Sequence, residues 1–318
     1  MSGDKDIINL RPQLSDFKEE LIKSLTKSPK EISPKFFYDK EGTELFDEIT
    51  HLPEYYPTMA ELEILKTRQN DIGRAIGINA TVVELGSGSG QKGLLLLKGL
   101  TEPEGIIFVD ISMEALKSAV NLIRYEFPHI HVRAICADYT NTDVMRQIDI
   151  PGRKGIVFLG STIGNMEPHE AKGFLIGCRK LLSDGETLTI GVDLKKDRET
   201  LERAYNDSRG VTARFNINLI SRINRELGAG IPLDSFIHKA FYNEDMGRIE
   251  MHLESARDQV FTIAGKEIRF KRGETIHTEN SYKYSIEEFT GILKGSGFSQ
   301  VRLWQDSKHR YALFTASA

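Results

Sequence analysis

Two hydrophobic periods alternate along this chain. Short apolar, β-branched runs recur at residues 82–85, 106–109, 129–138, 155–159 and 187–193, and the first three are followed or separated by segments whose apolar positions repeat every three or four residues. Nearly continuous apolar strands set between amphipathic helices predict a parallel sheet buried on both faces. Helices are expected from the end of the first run to about Leu100 and from Ser112 to about Tyr125. Upstream, Leu14, Phe17, Leu21, Ile22 and Leu25 keep helical spacing, and a second helix is expected over 61–76. After 193 the pattern breaks. Residues 195 to about 230 read as two helices containing Tyr205, and strict alternation predicts antiparallel strands at 239–242, 248–253, 259–263 and 267–270. The helix–strand alternation then resumes with a helix over 285–294 and two strands, 300–304 and 311–315, expected as a hairpin. The fold class is α/β, a Rossmann-like sheet with an inserted α+β subdomain.

The first run ends in Val83-Glu84-Leu85-Gly86-Ser87-Gly88-Ser89-Gly90-Gln91-Lys92. A strand, a glycine turn and a helix start together form a nucleotide-binding unit. The glycines permit a sharp turn and close backbone approach, and the helix start offers free N–H groups. The second strand ends in Asp110, about 20 residues on, where a ribose-binding acid belongs. A dinucleotide fingerprint spaces its glycines G-x-G-x-x-G, whereas these fall at 86, 88 and 90 behind Glu84. This E-x-G-x-G-x-G form resembles motif I of class I methyltransferases, which bind S-adenosylmethionine. Asp138 and Tyr139, after the third strand, stand where an acid meets the adenine amino group and an aromatic covers the ring. Asn165 follows the fourth strand, at the mouth of the cofactor site or as a cap on a helix beginning near Pro168.

Composition narrows the alternatives. In 318 residues, 42 Lys and Arg against 46 Asp and Glu give a net charge of -4, with no basic footprint for nucleic acid. No apolar run approaches the ~20 residues needed to span a bilayer. Cys136 and Cys178 form no C-x-x-C pair, and the N-terminal residues carry no signal-like apolar region. A cytoplasmic protein with reduced thiols, a small-molecule substrate and no nucleic-acid or membrane partner is expected, by default a monomer. The eight histidines offer no metal-ligand spacing; His129 and His131 share a strand face and read as surface residues. No metal and no covalent nucleophile are required. Aromatics cluster beside turn residues in 34–58, where tyrosines serve as core packing or as pocket lining, packing being favoured on composition.

Five segments extend the reading. Phe36-Phe37-Tyr38-Asp39 with Gly42-x-Glu44-Leu45-Phe46, Leu52-Pro53-Glu54-Tyr55-Tyr56-Pro57-Thr58, Glu84-x-Gly86-Ser87-Gly88, Gly160-Ser161-Thr162-Ile163-Gly164-Asn165, and Gly210-Val211-Thr212-x-x-Phe215-Asn216 occur in order over nearly the whole chain. Together they resemble the histidine-specific N-alpha-methyltransferase family of ergothioneine biosynthesis. That resemblance implies trimethylation of the L-histidine α-amino group by S-adenosyl-L-methionine, giving hercynine. It implies that Asn165 and Tyr38 hold the amine, Tyr205 the carboxylate, and Glu279 and Ser281 the imidazole. Tyr55 would reach the ring through water, and Met251 would wall the pocket. Asn280 departs from the apolar residue usual between Glu and Ser. Cofactor positions would be Tyr38, Glu84, Gly86, Ser87, Gly88, Lys92, Asp110, Asp138, Tyr139 and Gly160. The cofactor domain would take 59–194 and 285–318, the substrate subdomain 1–58 and 195–284. Competing readings are an N-methyltransferase of another amino acid or indole amine such as tryptophan, a nicotinamide-dependent oxidoreductase, and a non-catalytic cofactor-binding module. Glu279 speaks against the first, the glycine spacing against the second, and the inserted aromatic pocket against the third.

Overall fold

The computed structural model describes residues 7–10, 17–141, 146, 150 and 152–318. Contacts divide the chain into two units. One takes Ala60–Lys195 and Tyr284–Ala318 with the N-terminal strand β1 (Ile7–Asn9); the other takes Lys196–Lys283 and the N-terminal segment up to Met59.

The first unit is built on an eight-stranded sheet. Its strands are β1, β3 (Ala80–Leu85), β4 (Gly105–Asp110), β5 (His131–Cys136), β6 (Arg153–Phe158), β7 (Thr187–Asp193), β13 (Ser299–Gln305) and β14 (Tyr311–Ser317). They lie in the order β1-β5-β4-β3-β6-β7-β14-β13. The strands from β1 to β7 pair in parallel, while β14 is antiparallel to both β7 and β13. Every side chain of β3 and β7 is buried, as the apolar runs require of strands covered on both faces. This is the class I methyltransferase arrangement, and the C-terminal hairpin stands where the sequence places it. Helix α6 (Met113–Glu126) packs on β4 and β5, and α5 (Gln91–Gly99) on β3. Leu116, Val120 and Ile123 of α6 bury with Ile106 and Phe108 of β4 in one apolar cluster.

The second unit contains a four-stranded sheet in the order β2-β12-β9-β8, formed by Lys30–Glu31, Thr275–Tyr282, Arg248–Ser255 and Phe236–Asn243, and a hairpin of β10 (Gln259–Ile263) and β11 (Lys266–Phe270). Helix α9 (Val211–Leu227) crosses β8 and also meets α2 (Lys40–Thr50). Phe215 of α9 stacks on Phe37 with ring centroids 4.4 Å apart. Asp39 caps α2 by accepting the Gly42 N–H at 2.7 Å and also accepts from Asn218 at 2.9 Å. A Cβ on Gly42 would come within 1.7 Å of the Phe37 carbonyl oxygen. The Phe-Phe-Tyr-Asp and Gly42 spacing is therefore one packed corner.

Several expectations need correction. The helix expected over 61–76 is two, α3 (Tyr56–Thr67) and α4 (Gln69–Ile76), separated at Arg68. The first helix, α1, runs Phe17–Leu25, and Leu14 lies outside the described residues. Strand β5 starts at His131, so His129 sits in the turn before it; both histidines are exposed. Tyr205 lies not within a helix but in the turn between α8 (Arg198–Arg203) and α9. Strands β1, β2 and β12 were not expected. The first two have only three and two residues, too short for a period to register. In β12 the alternation is broken by a bulge between His277 and Glu279.

Candidate active site

The glycine turn after β3 folds as its residue types require. Gly86, Gly88 and Gly90 have φ of +69°, +50° and +77°. A Cβ at Gly90 would stand 2.7 Å from that of Ala119 on α6, so this glycine is fixed by helix packing as well as by its left-handed backbone. Above Gly88 there is open space: among the described residues, its two chain neighbours aside, no atom lies within 4 Å of where a Cβ would be. Beside Gly86 lies the Tyr139 ring, which packs edge-on against Phe158 with centroids 5.6 Å apart. Asp138 is exposed and accepts from the Thr140 hydroxyl at 2.6 Å.

Asp110 ties the end of β4 to this turn. Its Oδ2 accepts from the Gly88 N–H at 3.1 Å and its Oδ1 from the Ser112 N–H at 2.9 Å. Burial pushes its carboxyl above the usual range, while those backbone donors pull the other way. Glu84 is a stronger case. Its buried carboxyl is pushed up to about 8 by desolvation, against the attraction of Lys92, and its Oε2 has no hydrogen-bond partner among the described residues. The buried Ser87 Oγ is likewise without one.

Sequence reasoning missed Glu61, on α3. It is fully buried, accepts the Gly160 N–H at 2.8 and 3.0 Å and the Tyr311 hydroxyl at 2.7 Å, and pairs with Lys92 Nζ at 2.5 Å. It thereby joins α3, the start of α5, the loop after β6 and strand β14. A signal was available: Glu61 shares a helix face with the buried Ile64 and Leu65.

The loop after β6 holds Asn165 at the end of a 3₁₀ turn, Thr162–Asn165. Ser161 ahead of it has φ +55°, and its hydroxyl accepts from the Asp193 N–H at 2.9 Å, which pins this strained turn to β7. Asn165 is not the helix cap. Helix α7 (Pro168–Leu181) is capped at Glu167, whose N–H donates to the Glu170 carboxylate at 3.0 Å.

The remaining site residues belong to the second unit. Tyr38 is 41% exposed and rests edge-on against Phe46 and Phe215. Tyr55 is partly buried, its ring 6.2 Å from that of Tyr205. Tyr56 is core packing, its hydroxyl accepting from Lys196 at 2.7 Å. The aromatic segment thus divides between a buried ring, Tyr56, and two with exposure, Tyr38 and Tyr55.

Strand β12 carries Glu279 and Ser281 two residues apart, hence on one face. Met251 of β9 lies in register opposite Glu279. The Ser281 hydroxyl is 2.8 Å from that of Tyr205. Lys283, also missed from sequence, is buried and donates to Ser281 Oγ at 2.8 Å and to the Tyr205 hydroxyl at 3.2 Å. Burial raises the Glu279 carboxyl to about 7, with Lys283 opposing. Tyr205, Glu279, Ser281 and Lys283 therefore form one buried polar cluster.

A buried hub supports this cluster. Asn216 accepts from the hydroxyl of Thr278, the residue at the bulge, at 2.9 Å, and donates to the His252 carbonyl at 2.9 Å. Its amide also lies 2.9 Å from His238 Nδ1, while His238 Nε2 meets the Tyr205 carbonyl at 2.9 Å. One asparagine thus braces both the strand that carries Glu279 and the turn that carries Tyr205.

Relatives of known activity match this chain over most of its length. The chain is 41% identical over 297 residues to a histidine N-alpha-methyltransferase of Mycolicibacterium smegmatis, covering 92% of each. It is 30% identical to ergothioneine biosynthesis protein 1 of Neurospora crassa, over 87% of this chain and 32% of that one. Among solved structures, a possible exported protein from Bordetella parapertussis shares the fold at 10% identity, with a TM-score of 0.53 over 89% of this chain and 84% of that one. The model of the histidine-specific, S-adenosylmethionine-dependent methyltransferases matches residues 17–318, and the chain belongs to that family.

Proposed function

We propose that this enzyme transfers three methyl groups in succession from S-adenosyl-L-methionine to the α-amino group of L-histidine, giving hercynine for ergothioneine biosynthesis. The observation that carries the choice of substrate is the cluster of Glu279, Ser281 and Tyr205. A carboxyl and a hydroxyl on one strand face suit the two nitrogens of an imidazole, and the phenol beside them suits a carboxylate.

The first unit fits the cofactor. Open space over Gly88, the unpartnered Ser87 Oγ and Glu84 Oε2, and Tyr139 beside Gly86 suit a nucleoside with an amino-acid tail. Gly86, Ser87, Gly88 and Asp110 would hold the ribose end, Asp138 and Tyr139 the adenine, and Glu84, Lys92, Gly160 and Tyr38 complete the set. When bound, S-adenosylmethionine supplies an electrophilic methyl on a sulfonium. The protein's task is to place a neutral amine in line with that methyl and to exclude water. Each attack needs the amine lone pair, so the ammonium proton must leave first. Asn165 and Tyr38 orient the amine by hydrogen bonds, and Tyr205 holds the carboxylate. Glu279 and Ser281 hold the imidazole, with Tyr55 reaching it through water and Met251 closing the pocket.

Among the described residues no helix is long and apolar enough to cross a membrane. We place the reaction in the cytoplasm, carried out by a monomer without nucleic-acid partners. The test is incubation with isotope-labelled S-adenosylmethionine and the twenty amino acids together, with products identified by mass. Trimethylated histidine as the dominant product is expected; dominant methylation of tryptophan or any other amino acid overturns the reading.

A further inference from the structure

Lys283 has no role in the reading above, although it is buried at the centre of the proposed histidine subsite. An ammonium offers three donors and no acceptor. Its contacts with Ser281 Oγ at 2.8 Å and the Tyr205 hydroxyl at 3.2 Å therefore have one direction: both oxygens accept from it. The two hydroxyls are 2.8 Å apart, and Tyr205 donates to Ser281. Ser281 Oγ then receives two hydrogen bonds, and its own proton must point to a third group. When Tyr205 turns its proton to a substrate carboxylate, Lys283 still donates to Ser281.

We propose that Lys283 is a positioning residue that fixes the Ser281 hydroxyl as a donor, so that the subsite selects a ring presenting one N–H and one bare nitrogen. This rests on the histidine reading of the same site. Glu279 accepts from the ring N–H, and Ser281 donates to the ring's unprotonated nitrogen. Neutral imidazole is the amino-acid side chain that supplies both. Indole and pyrrole supply an N–H alone, and imidazolium supplies two. The charged and titratable groups of the cluster are Glu279 and Lys283 on the β12 segment and the phenol of Tyr205 on the turn before α9, with the Tyr55 ring against Tyr205. Without Lys283, Ser281 can turn its hydroxyl either way and the demand for a bare nitrogen relaxes.

The experiment compares kcat and KM for L-histidine with those for the two β-pyrrolylalanines, whose rings keep one N–H and lack the second nitrogen. The enzymes are the unaltered protein, Lys283→Met, Lys283→Arg and Ser281→Ala. Histidine should be preferred over the pyrroles by about a hundredfold or more in the unaltered enzyme, as befits a site built to bond a missing group. In Lys283→Met the histidine KM should rise about tenfold with a smaller change in kcat, and the preference should narrow about tenfold, on the same reasoning. Lys283→Arg, which keeps a charged donor, should recover part of the preference. Binding of S-adenosylhomocysteine serves as the control for folding and should stay within about twofold, because no contact to the cofactor is removed. Should Lys283→Met fail that control, Ser281→Ala decides, since it removes the oriented proton and must narrow the preference too. Unchanged preference in Lys283→Met, or in Ser281→Ala where that variant decides, overturns the proposal. If the unaltered enzyme does not methylate histidine, it is the underlying substrate reading that fails.

Discussion

Glu61 accepts the backbone N–H of Gly160, ninety-nine residues further along the chain, through both carboxylate oxygens, at 2.8 and 3.0 Å. The same group carries the buried end of an ion pair with Lys92, whose side chain keeps some exposure. Removing one partner of a buried pair leaves the other charge and its donors uncompensated. Glu61→Ala should cost about 3 to 5 kcal/mol of folding stability, whereas Glu61→Gln, which can still accept from Gly160, should cost about 1 to 3. Urea unfolding of the three proteins checks the order. A loss near zero for Glu61→Ala would mean that Gly160 and Lys92 find water instead.

Asp110 holds the Gly88 N–H while keeping acceptor capacity for a ribose. Replacing it by Ala should weaken S-adenosylmethionine and S-adenosylhomocysteine alike, by about 1 to 3 kcal/mol. Titration calorimetry gives the number directly. Equal affinity in both proteins would remove Asp110 from the cofactor site, and micromolar binding of NAD with none of the sulfonium would remove the cofactor assignment itself.

The carboxyl of Glu84 sits at about 8 when folded, above its ordinary value of 4.5. The folded state then binds the proton more tightly than the unfolded one, so this group's contribution is fully present below about 4.5 and is lost as pH rises to about 8. Glu279, raised to about 7, acts in the same direction over a narrower window. Glu84→Gln cannot ionise. Its stability relative to the unaltered protein should climb between pH 5 and 8 and level off above, read from urea midpoints in the absence of cofactor. A difference that stays flat across that range would show that Glu84 is ionised in the folded protein near pH 5.

Glu279 should set the choice of side chain. A site that bonds a ring N–H rejects analogues without it by a factor of about 10⁴ or more, against about 10² for an apolar pocket. Glu279→Ala should collapse histidine methylation and raise the relative rate with phenylalanine and tryptophan. The measurement is the ratio of kcat/KM for histidine and tryptophan in both proteins. For the unaltered enzyme kcat/KM on histidine should also rise through pH 7, as Glu279 loses its proton and becomes a full acceptor. An unaltered substrate ratio in Glu279→Ala would place recognition elsewhere.

How far the sequence could be read follows from how far each element shows its own period. The strands β3, β4, β6 and β7 announced themselves because a strand covered on both faces carries a nearly continuous apolar run, as at 82–85, 106–109 and 155–159. The hairpin at the C-terminus did so by alternation. In contrast, β1 and β2 owe their existence to partners far along the chain, β5 and β12, and carry too few residues to show any period. Site residues divide in the same way. Glycines and strand-end acids stand at fixed offsets from visible strands, so the places of Asp110 at the end of β4 and of Asp138 just after β5 were legible. Glu61 was passed over because an acid in a helix reads as solvated, although Ile64 and Leu65 at i+3 and i+4 marked its face as apolar. Lys283 follows Glu279 and Ser281 at two-residue spacing, but that regularity has meaning only once β12 is recognised as a strand.

The pairing of β2 with β12 also bears on how the polypeptide folds. Lys30 aligns with Ile276, and Lys30 is ion-paired with Glu274, 244 residues away in sequence. The whole first-unit stretch from Ala60 to Lys195 must be looped out before that edge can close. Closure entropy grows only slowly with loop length, yet it has to be met before the distant contacts repay it. On a ribosome β2 has no β12 to pair with until most of the chain has been synthesised. The parallel sheet around β3, whose strands are near neighbours in sequence, is therefore expected to form first, and β12, the strand that carries Glu279, to be among the last elements to gain protection. Pulse-labelling hydrogen exchange during refolding would see this as amides of β3 and β4 protected ahead of those of β12; the reverse order would mean that the second unit nucleates on its own.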